Sequence, residues 1–491
     1  MQRGSGILLH LTSLPGAYGI GSMGREAYTF VDFLKKSGQK YWQILPLGPT
    51  GYGDSPYQSF STFAGNPYLI DLPLLAEDGA LTQADLIEAQ LPEKSFVDYP
   101  ELFQTRFSIL KKAFQADKER LKPAISEFRV RQGFWIESYA MYMALKFDLE
   151  HAPLQDWEPA LRLKTLDAIT ATYARLGEEI DFWVYVQYRF FEQWQALKTY
   201  ANQNGIKIIG DIPIYVAEDS ADAWANPDIL LLDENKIPTH VAGCPPDYFA
   251  EKGQLWGNPL YNWDVLKEQN YEWWMNRIQN AFTLYDIVRI DHFRAFSAFY
   301  AIPYGREDAV IGEWRKGPGM NFFHALKERF GESLPIIAED LGLLDDDVRT
   351  LLKDTDFPGM KVIQFGMTPG ENSEYLPHNF TKNSVAYIGT HDNDTLCGWF
   401  EKEPEHVQKF SLAYMRTNRE NYVQGFIETL MASPADVVIV TMQDLLQLGS
   451  ETRMNTPAVL GGNWGWRLSS TEPLTDTLSE TLRSLTETFS R

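Results

Sequence analysis

The stretch IVRIDHF, residues 287–293, decides how the chain is read. Its apolar, β-branched residues Ile287, Val288 and Ile290 give it the character of a strand buried on both faces, and it ends in polar residues. Arg289 and Asp291 are two apart, so on a strand they point to the same face. An arginine buried there holds the aspartate ionised by charge and hydrogen bonding.

Seven further runs of the same kind lie at residues 6–14, 41–47, 206–216, 334–340, 361–366, 384–392 and 436–446. Helical patterns separate several of them, as in FFHALKERF (322–330), DDVRTLLKD (346–354) and NYVQGFIETLMA (421–432). Eight strands alternating with helices predict a (β/α)8 barrel, with a doubly wound sheet as the alternative. In a barrel, chemistry sits at the carboxyl ends of the strands, so the polar residue closing each run becomes informative.

The whole chain, 1–491, is then a single catalytic barrel with two insertions. Residues 72–204 are rich in Glu, Leu, Ala, Lys and Phe at helical spacing, as in ELFQTRFSILKKAFQADKERL, too much for one barrel helix, and predict a helical insertion subdomain. Residues 217–286 predict a loop-rich insertion near the active site, its Pro-, Gly- and Trp-containing part running to about residue 270. Residues 471–491 read as a terminal amphipathic helix.

Bulk properties narrow the function. With 66 Asp plus Glu against 44 Lys plus Arg, the formal charge of -22 repels phosphate backbones and anionic lipid, so neither nucleic acid nor a membrane surface is an expected partner. The two cysteines, Cys244 and Cys397, are too few for a disulfide framework or a cysteine-built zinc site, which fits a reducing compartment. The opening MQRGSGILLHLTSLPG has too short an apolar run for a signal-peptide core, and no stretch reaches the ~18 apolar residues of a membrane span. A cytoplasmic protein of undefined oligomeric state is expected. No phosphate loop, dinucleotide motif or metal cluster is evident, so neither cofactor nor metal is expected.

Three strand ends finish in acids. VRIDHFRAF carries Asp291, IIAEDLG carries Glu339 and Asp340, and YIGTHDNDT carries His391 and Asp392 followed by Asn393 and Asp394. An Asp at a strand end also commonly caps the next helix, and Asp340 or Asp394 could do only that. If 287–293 and 334–340 are neighbouring parallel strands, ~4.8 Å apart, Asp291 and Glu339 face each other at the barrel mouth with carboxyls about 5 Å apart. That is the separation of retaining glycosidases. Asp291, paired with Arg289, would stay anionic and attack. Glu339, disfavoured as an anion beside Asp291, would keep its proton and act as the acid, and Asp392 would bind substrate hydroxyls as positive charge develops.

Aromatic residues in Gly- and Pro-rich settings are candidates for sugar faces rather than core. TGYGDSPYQSFSTFAGNPY brings together Tyr52, Asp54, Ser55, Tyr57 and Gln58. GQLWGNPLYNW places Trp256 and Asn258 on a loop, and GGNWGWR places Asn463, Trp464 and Trp466 on another.

Taken in order, LLHLTSLPG, GDSPYQSFSTFAGNPYL, DIPIYV, GQLWGNPLYNW, VRIDHFRAF, IIAEDLG, THDNDT and GGNWGWR resemble the amylomaltase or disproportionating-enzyme family, the 4-α-glucanotransferases of the α-amylase clan. The resemblance runs nearly the whole chain. It implies a retaining enzyme that moves a segment of an α-1,4-glucan to a 4-hydroxyl of glucose or another glucan, with maltooligosaccharides and glucose as partners. Asp291 would be the nucleophile, Glu339 the acid/base and Asp392 the transition-state stabiliser, in agreement with the spacing. Arg289, His292 and His391 would contact sugar at the donor site. Tyr57, Asp211, Trp256, Asn258, Asn463 and Trp464 would line the glucan groove, Ser55 and Gln58 would bind beside them, and Tyr52 would belong to a second glucan contact. A plain hydrolase of the same clan shares all three acids and differs only in the loops. A non-catalytic glucan-binding barrel would need only the aromatics.

Overall fold

The computed structural model describes residues 1–51, 53–246, 251–342 and 344–491. Twelve strands occur among them: β1 Gly4–Leu8, β2 Tyr41–Gln43, β3 Lys207–Pro213, β4 His240–Cys244, β5 Gln254–Pro259, β6 Ile287–Asp291, β7 Ala298–Pro303, β8 Glu313–Lys316, β9 Ile336–Ala338, β10 Gly359–Val362, β11 Ser384–Tyr387 and β12 Val437–Thr441. Eight of these, β1, β2, β3, β6, β9, β10, β11 and β12, pair in parallel in that circular order, with β1 lying between β2 and β12. At the remaining seam the Ala338 N–H donates to Pro358 O at 3.0 Å, so β9 meets the start of β10. The fold is the expected (β/α)8 barrel.

Each strand is shorter than its apolar run. Beyond the ladder the run continues buried, either extended and held by single bonds such as Ile44 N–H to Ile209 O at 2.9 Å, or turned into short helices such as Ile363–Gly366 and Met442–Leu445. Burial therefore outruns pairing, and apolar patterning reports the first.

Alternation along each strand sorts its residues into two cores. Leu8, Ile209, Ile287, Ile337, Met360, Tyr387 and Ile439 pack together inside the barrel. Their neighbours Ile208, Val288, Ile290, Ile336, Ala338 and Val440 pack outward against helices such as Arg25–Lys36, Glu272–Leu284, Met320–Phe330, Asp346–Thr355 and Tyr422–Ala432. The last helix, Asp476–Thr488, falls within the expected amphipathic tail.

Between β2 and β3 run the helices Leu72–Glu77, Gln83–Glu88, Tyr99–Asp117, Lys122–Arg131, Ile136–Asp148, Pro159–Arg162 and Leu166–Gln203. The long last one has a non-helical residue, Leu176, inside it. Its second half packs on the barrel: Trp194 Nε1–H donates to Leu284 O at 2.9 Å and the Tyr200 hydroxyl to Asp32 Oδ1 at 2.7 Å. The barrel helix ahead of β3 is thus the far end of the expected insertion. A buried ion cluster ties Tyr99–Asp117 to Leu166–Gln203. Asp117, 1% exposed, accepts from the Tyr185 hydroxyl at 2.9 Å, from Arg120 Nε at 3.1 Å and from Arg189.

Residues 217–286 are more ordered than a loop-rich reading allows. They contain β4, β5 and the helices Ala221–Ala225, Trp263–Glu268 and Glu272–Leu284, and β4 and β5 join β7 and β8 in an antiparallel sheet of order β5-β4-β7-β8. Its strands carry Gly and Pro, as in Gly243 and Pro259, and a register shift between Val241 and Gly243, which hides the period-2 signal. Among the described residues no helix is long and apolar enough to cross a membrane.

Asp117→Ala would leave the Arg189 guanidinium, 3% exposed, without its most buried partner. A loss of about 3–5 kcal/mol is expected, read as a lower unfolding midpoint in urea, with the barrel's strands unaltered by circular dichroism below the transition.

Candidate active site

Strand alternation delivers the acids. Ile209 and Asp211 on β3, Ile287, Arg289 and Asp291 on β6, and Ile337 and Glu339 at the end of β9 have one parity, and the isoleucines of this set lie in the barrel interior. Asp211 sits opposite Arg289, and Ile290 opposite Ala338. The ladder continues one step past β9, with Glu339 N–H donating to Ile290 O at 3.1 Å and Phe293 N–H to Glu339 O at 3.2 Å. Asp291 and Glu339 are therefore lateral neighbours on adjacent parallel strands.

Arg289 organises the floor. It is buried, with Nη1 donating to Asp211 Oδ2 at 2.6 Å and Nη2 lying 3.0 Å from Asp291 Oδ1. Its Nε points to Met360 Sδ at 3.3 Å. The Tyr57 hydroxyl donates to the same Asp211 Oδ2 at 2.9 Å, and burial, reinforced by Asp211, pushes its phenol well up, keeping it a donor. Asp211 Oδ1 is buried without a partner among the described residues. Burial pushes Asp211 up to about 7, against the pull of Arg289.

The Glu339 carboxyl is pushed up to about 7, first by burial and then by Asp291 beside it. Opposing this, Oε2 accepts the His292 N–H and Oε1 the Leu341 N–H, each at 2.8 Å. The two carboxyls thus have unlike surroundings, one against a guanidinium and one between main-chain donors in a drier wall. Their mutual influence raises Glu339.

Asp392 lies on the opposite rim. Its Oδ1 accepts from Asn455 Nδ2 at 2.6 Å and is 3.3 Å from His391 Nε2, while its carbonyl accepts from Arg453 at 2.6 Å. Its side chain is 42% exposed and that of Asp291 31%, so both carboxylates are open to a ligand. His391 stacks on Tyr57 with centroids 5.1 Å apart and planes 14° apart, and burial holds it below the ordinary imidazole range. His292 has φ 56°, and burial takes it to about 3, so it is neutral; its ring meets the Trp256 edge at 4.7 Å. Trp464, φ 64°, lies 5.7 Å from Tyr57.

The other expected ligand residues divide. Gln58 and Asn258 donate to each other's side-chain oxygens at 3.0 and 3.2 Å, and Gln58 also bonds Trp256 O, so this pair holds β5 against the Tyr57 loop. Trp256 and Asn258, expected on a loop, stand instead on β5, whose Gly257 and Pro259 hide the strand signal. Asn463 spends its amide within its own loop, on Thr456 and Val459. Ser55 accepts the Tyr57 N–H at 3.3 Å. Asp211, wholly buried, is a correction to its expected place on the groove surface: it reaches a ligand only through Arg289 and Tyr57. Tyr52 lies outside the described residues. Asp340 neither caps a helix nor faces the mouth, since Oδ1 accepts Met360 N–H at 2.6 Å, and Asp394 is bound by Lys402 and Ser450. Sequence reasoning missed Arg453 and Asn455, which hold Asp392. They stand in the irregular stretch after β12, and only the Arg-Met-Asn-Thr-Pro run before GGNWGW marks it. Among the described residues no three His, Cys, Asp or Glu side chains are placed to hold a metal ion.

The fold and these carboxylates at the strand ends define a (β/α)8-barrel enzyme. Residues 9–473 match the model of glycoside hydrolase family 77, described as 4-alpha-glucanotransferase, and the chain belongs to that family. It is 46% identical to the 4-alpha-glucanotransferase of Clostridium butyricum over 487 residues, 98% of this chain and 100% of that one. It is 47% identical to the Thermus thermophilus 4-alpha-glucanotransferase over 480 residues, 95% of each chain. Among solved structures, the amylomaltase from Streptococcus agalactiae in complex with acarbose superposes with a TM-score of 0.97 at 43% identity, covering 100% of both chains.

The raised Glu339 carboxyl makes stability depend on pH. Its folded-state value, about 7, lies above the ordinary 4.5, so the protonated group is compatible with folding at low pH and its ionisation costs stability as pH rises through 7. The Glu339→Gln protein should therefore gain up to about 3 kcal/mol relative to the parent between pH 5 and pH 8, whatever its constant offset. Parallel unfolding midpoints at the two pH values, with no relative gain, would count against this.

Proposed function

We propose that this protein is a cytoplasmic 4-α-glucanotransferase that moves maltooligosaccharide segments from one α-1,4-glucan to the 4-hydroxyl of glucose or another glucan, with Asp291, Glu339 and Asp392 as its working acids. The observation that carries the reading is the pair of lateral neighbours in the barrel mouth, Asp291 against the buried Arg289 and Glu339 raised to about 7 beside it. Adjacent parallel strands are ~4.8 Å apart, which suits the roughly 5 Å of a retaining pair. The family's activity and the acarbose bound by the S. agalactiae relative support a glucan in this groove.

In the first step an Asp291 oxygen attacks the anomeric carbon. The bond from that carbon to the leaving 4-oxygen breaks, and Glu339 gives that oxygen its proton. The His292 and Leu341 N–H groups receive the carboxylate this leaves behind. Arg289, 3.0 Å away, holds the Asp291 carboxylate in place. In the second step an acceptor 4-hydroxyl attacks the same carbon, Glu339 takes back a proton and Asp291 is released. Asp392, oriented by Asn455 and His391, binds sugar hydroxyls while positive charge builds on the ring. Tyr57 and Trp464 supply a sugar platform, and Trp256, locked by Gln58, walls the acceptor side.

Transfer requires that a sugar hydroxyl outcompete water for the glycosyl-enzyme, so the Trp256 wall must hold the acceptor in line and keep water out. Purified protein incubated with maltotriose should yield glucose and a ladder of longer maltodextrins. Asp291→Asn should lower the rate by about 10⁴-fold or more. Glucose and maltose without a ladder would make the protein a hydrolase, and no turnover would leave only a binding barrel. Trp256→Ala should weaken glucan binding and raise the hydrolysed fraction of product. An unchanged product mixture would remove Trp256 from this role.

A further inference from the structure

The segment after β2 has a second face, turned away from the carboxylates. There Phe63, Phe134, Trp135 and Trp273 wall a cavity of about 220 Å³, with Asp222 and Asn276 at its polar edges. That is the volume of about seven waters at ~30 Å³ each, far larger than a packing void. None of Asp291, Glu339, Asp392, Tyr57, Trp256 and Trp464 borders it.

The rings form a corner. Phe63 lies near parallel to Trp135, 6.3 Å away at 18°, and edge-on to Phe134 at 5.1 Å and Trp273 at 5.8 Å. Phe134 is 49% exposed, and Glu272, also on the lining, is exposed, so the corner opens to solvent.

The polar groups here are not consumed by the fold. Trp273 Nε1 is buried with no partner, and Asn276 and Ser138 make no side-chain hydrogen bond among the described residues. Asp222, 4% exposed, accepts the Thr62 N–H on Oδ2 at 2.7 Å. A buried donor without a partner is uncommon, and a cavity that sets one, Trp273 Nε1, beside the half-buried Asn276 and Ser138 and a corner of aromatic faces is suited to something that satisfies both. An apolar ligand would leave Asn276 and Trp273 Nε1 unpaired. An anion would meet the carboxylates of Asp222 and Glu272. An ammonium has no acceptor for the donor-only indole N–H. What remains is a neutral ring with apolar faces and hydroxyls on its edge.

We infer that this cavity is a further, non-catalytic binding site that takes one glucose unit of an α-glucan. It lies outside the barrel mouth, between the Ser61–Phe63 segment and the Phe134–Tyr139 stretch of the helical insertion. The inference rests on the glucan reading above for its ligand, and on the cavity alone for its place.

The test uses the full-length Asp291→Asn protein, whose groove holds substrate without turnover. Crystals soaked in maltotriose should show sugar in both the groove and the cavity, and tryptophan fluorescence should report a second, weaker saturation. Phe134→Ala and Asn276→Ala, added singly, should weaken only the second event, by about tenfold each. In the otherwise unaltered enzyme the same two changes should leave kcat/KM for maltotriose within twofold. Sugar in the groove with none in the cavity, or a second event untouched by both changes, overturns the inference and leaves the transferase reading intact. Sugar in neither place overturns both. A cavity that takes up spermidine but no sugar assigns the wrong ligand class and overturns it as well.

Discussion

One guanidinium holds the centre of this molecule. Arg289 lies in the barrel interior with Asp211 at 2.6 Å on one side and Asp291 at 3.0 Å on the other, a buried cation shared between one enclosed carboxylate and one that is partly open to solvent. Taking the Arg289 and Asp211 charges out of water is costly, and it is compensated only where partners are close and donors are spent. Here Asp211 adds the Tyr57 hydroxyl and Arg289 adds a sulfur contact. The outcome is directional. Asp211 is sealed off as an anchor, Asp291 keeps an open face, and Tyr57 is drawn over the mouth, where His391 stacks against it and Trp464 lies tilted beside it.

The same parity that inserts Arg289 also sets the difference between the two reacting carboxyls. Glu339 reaches the mouth one residue beyond the end of β9, from a strand of only three paired residues, and it lands between main-chain N–H groups and a neighbouring anion. Its proton affinity is therefore raised by position, with burial leading and Asp291 adding to it. An acid of identical chemistry one residue on, Asp340, faces the other way and pins β10 through Met360 N–H. A one-residue change in register would exchange their roles.

The polar residues of the mouth fall into those spent on shape and those left open. Gln58, Asn258, Asn455, Arg453 and Asn463 use their groups to fix loops or to orient Asp392, so the groove is assembled before a ligand arrives, and binding need not meet the cost of ordering it. The outer cavity shows the reverse pattern, with Trp273 Nε1 and Asn276 unspent.

The amino-acid sequence by itself determined the eight strands, their order and the three acids at their ends. Strands buried on both faces leave unbroken β-branched runs, and a residue two places from another shares its face whatever surrounds it. The Arg289–Asp291 pairing was legible for that reason, whereas of the aromatics expected on Gly- and Pro-rich loops Trp256 stands on β5 and Trp464 is buried against Leu45 and Met454. What only the tertiary structure decided depends on residues far apart in the chain. The sheet β5-β4-β7-β8 was hidden because its Gly- and Pro-bearing strands have no clean alternation. Asp211 read as a groove residue, and only its partners from β6 and the Tyr57 loop show it enclosed. Arg453 and Asn455 have only the short Arg-Met-Asn-Thr-Pro run to mark them, and nothing in it tells of their task, which is to meet Asp392 some sixty residues earlier in sequence. Proton affinity likewise belongs to the assembled site: Glu339 is raised by the burial and the neighbouring charge that barrel closure brings to it, and local patterning carries neither.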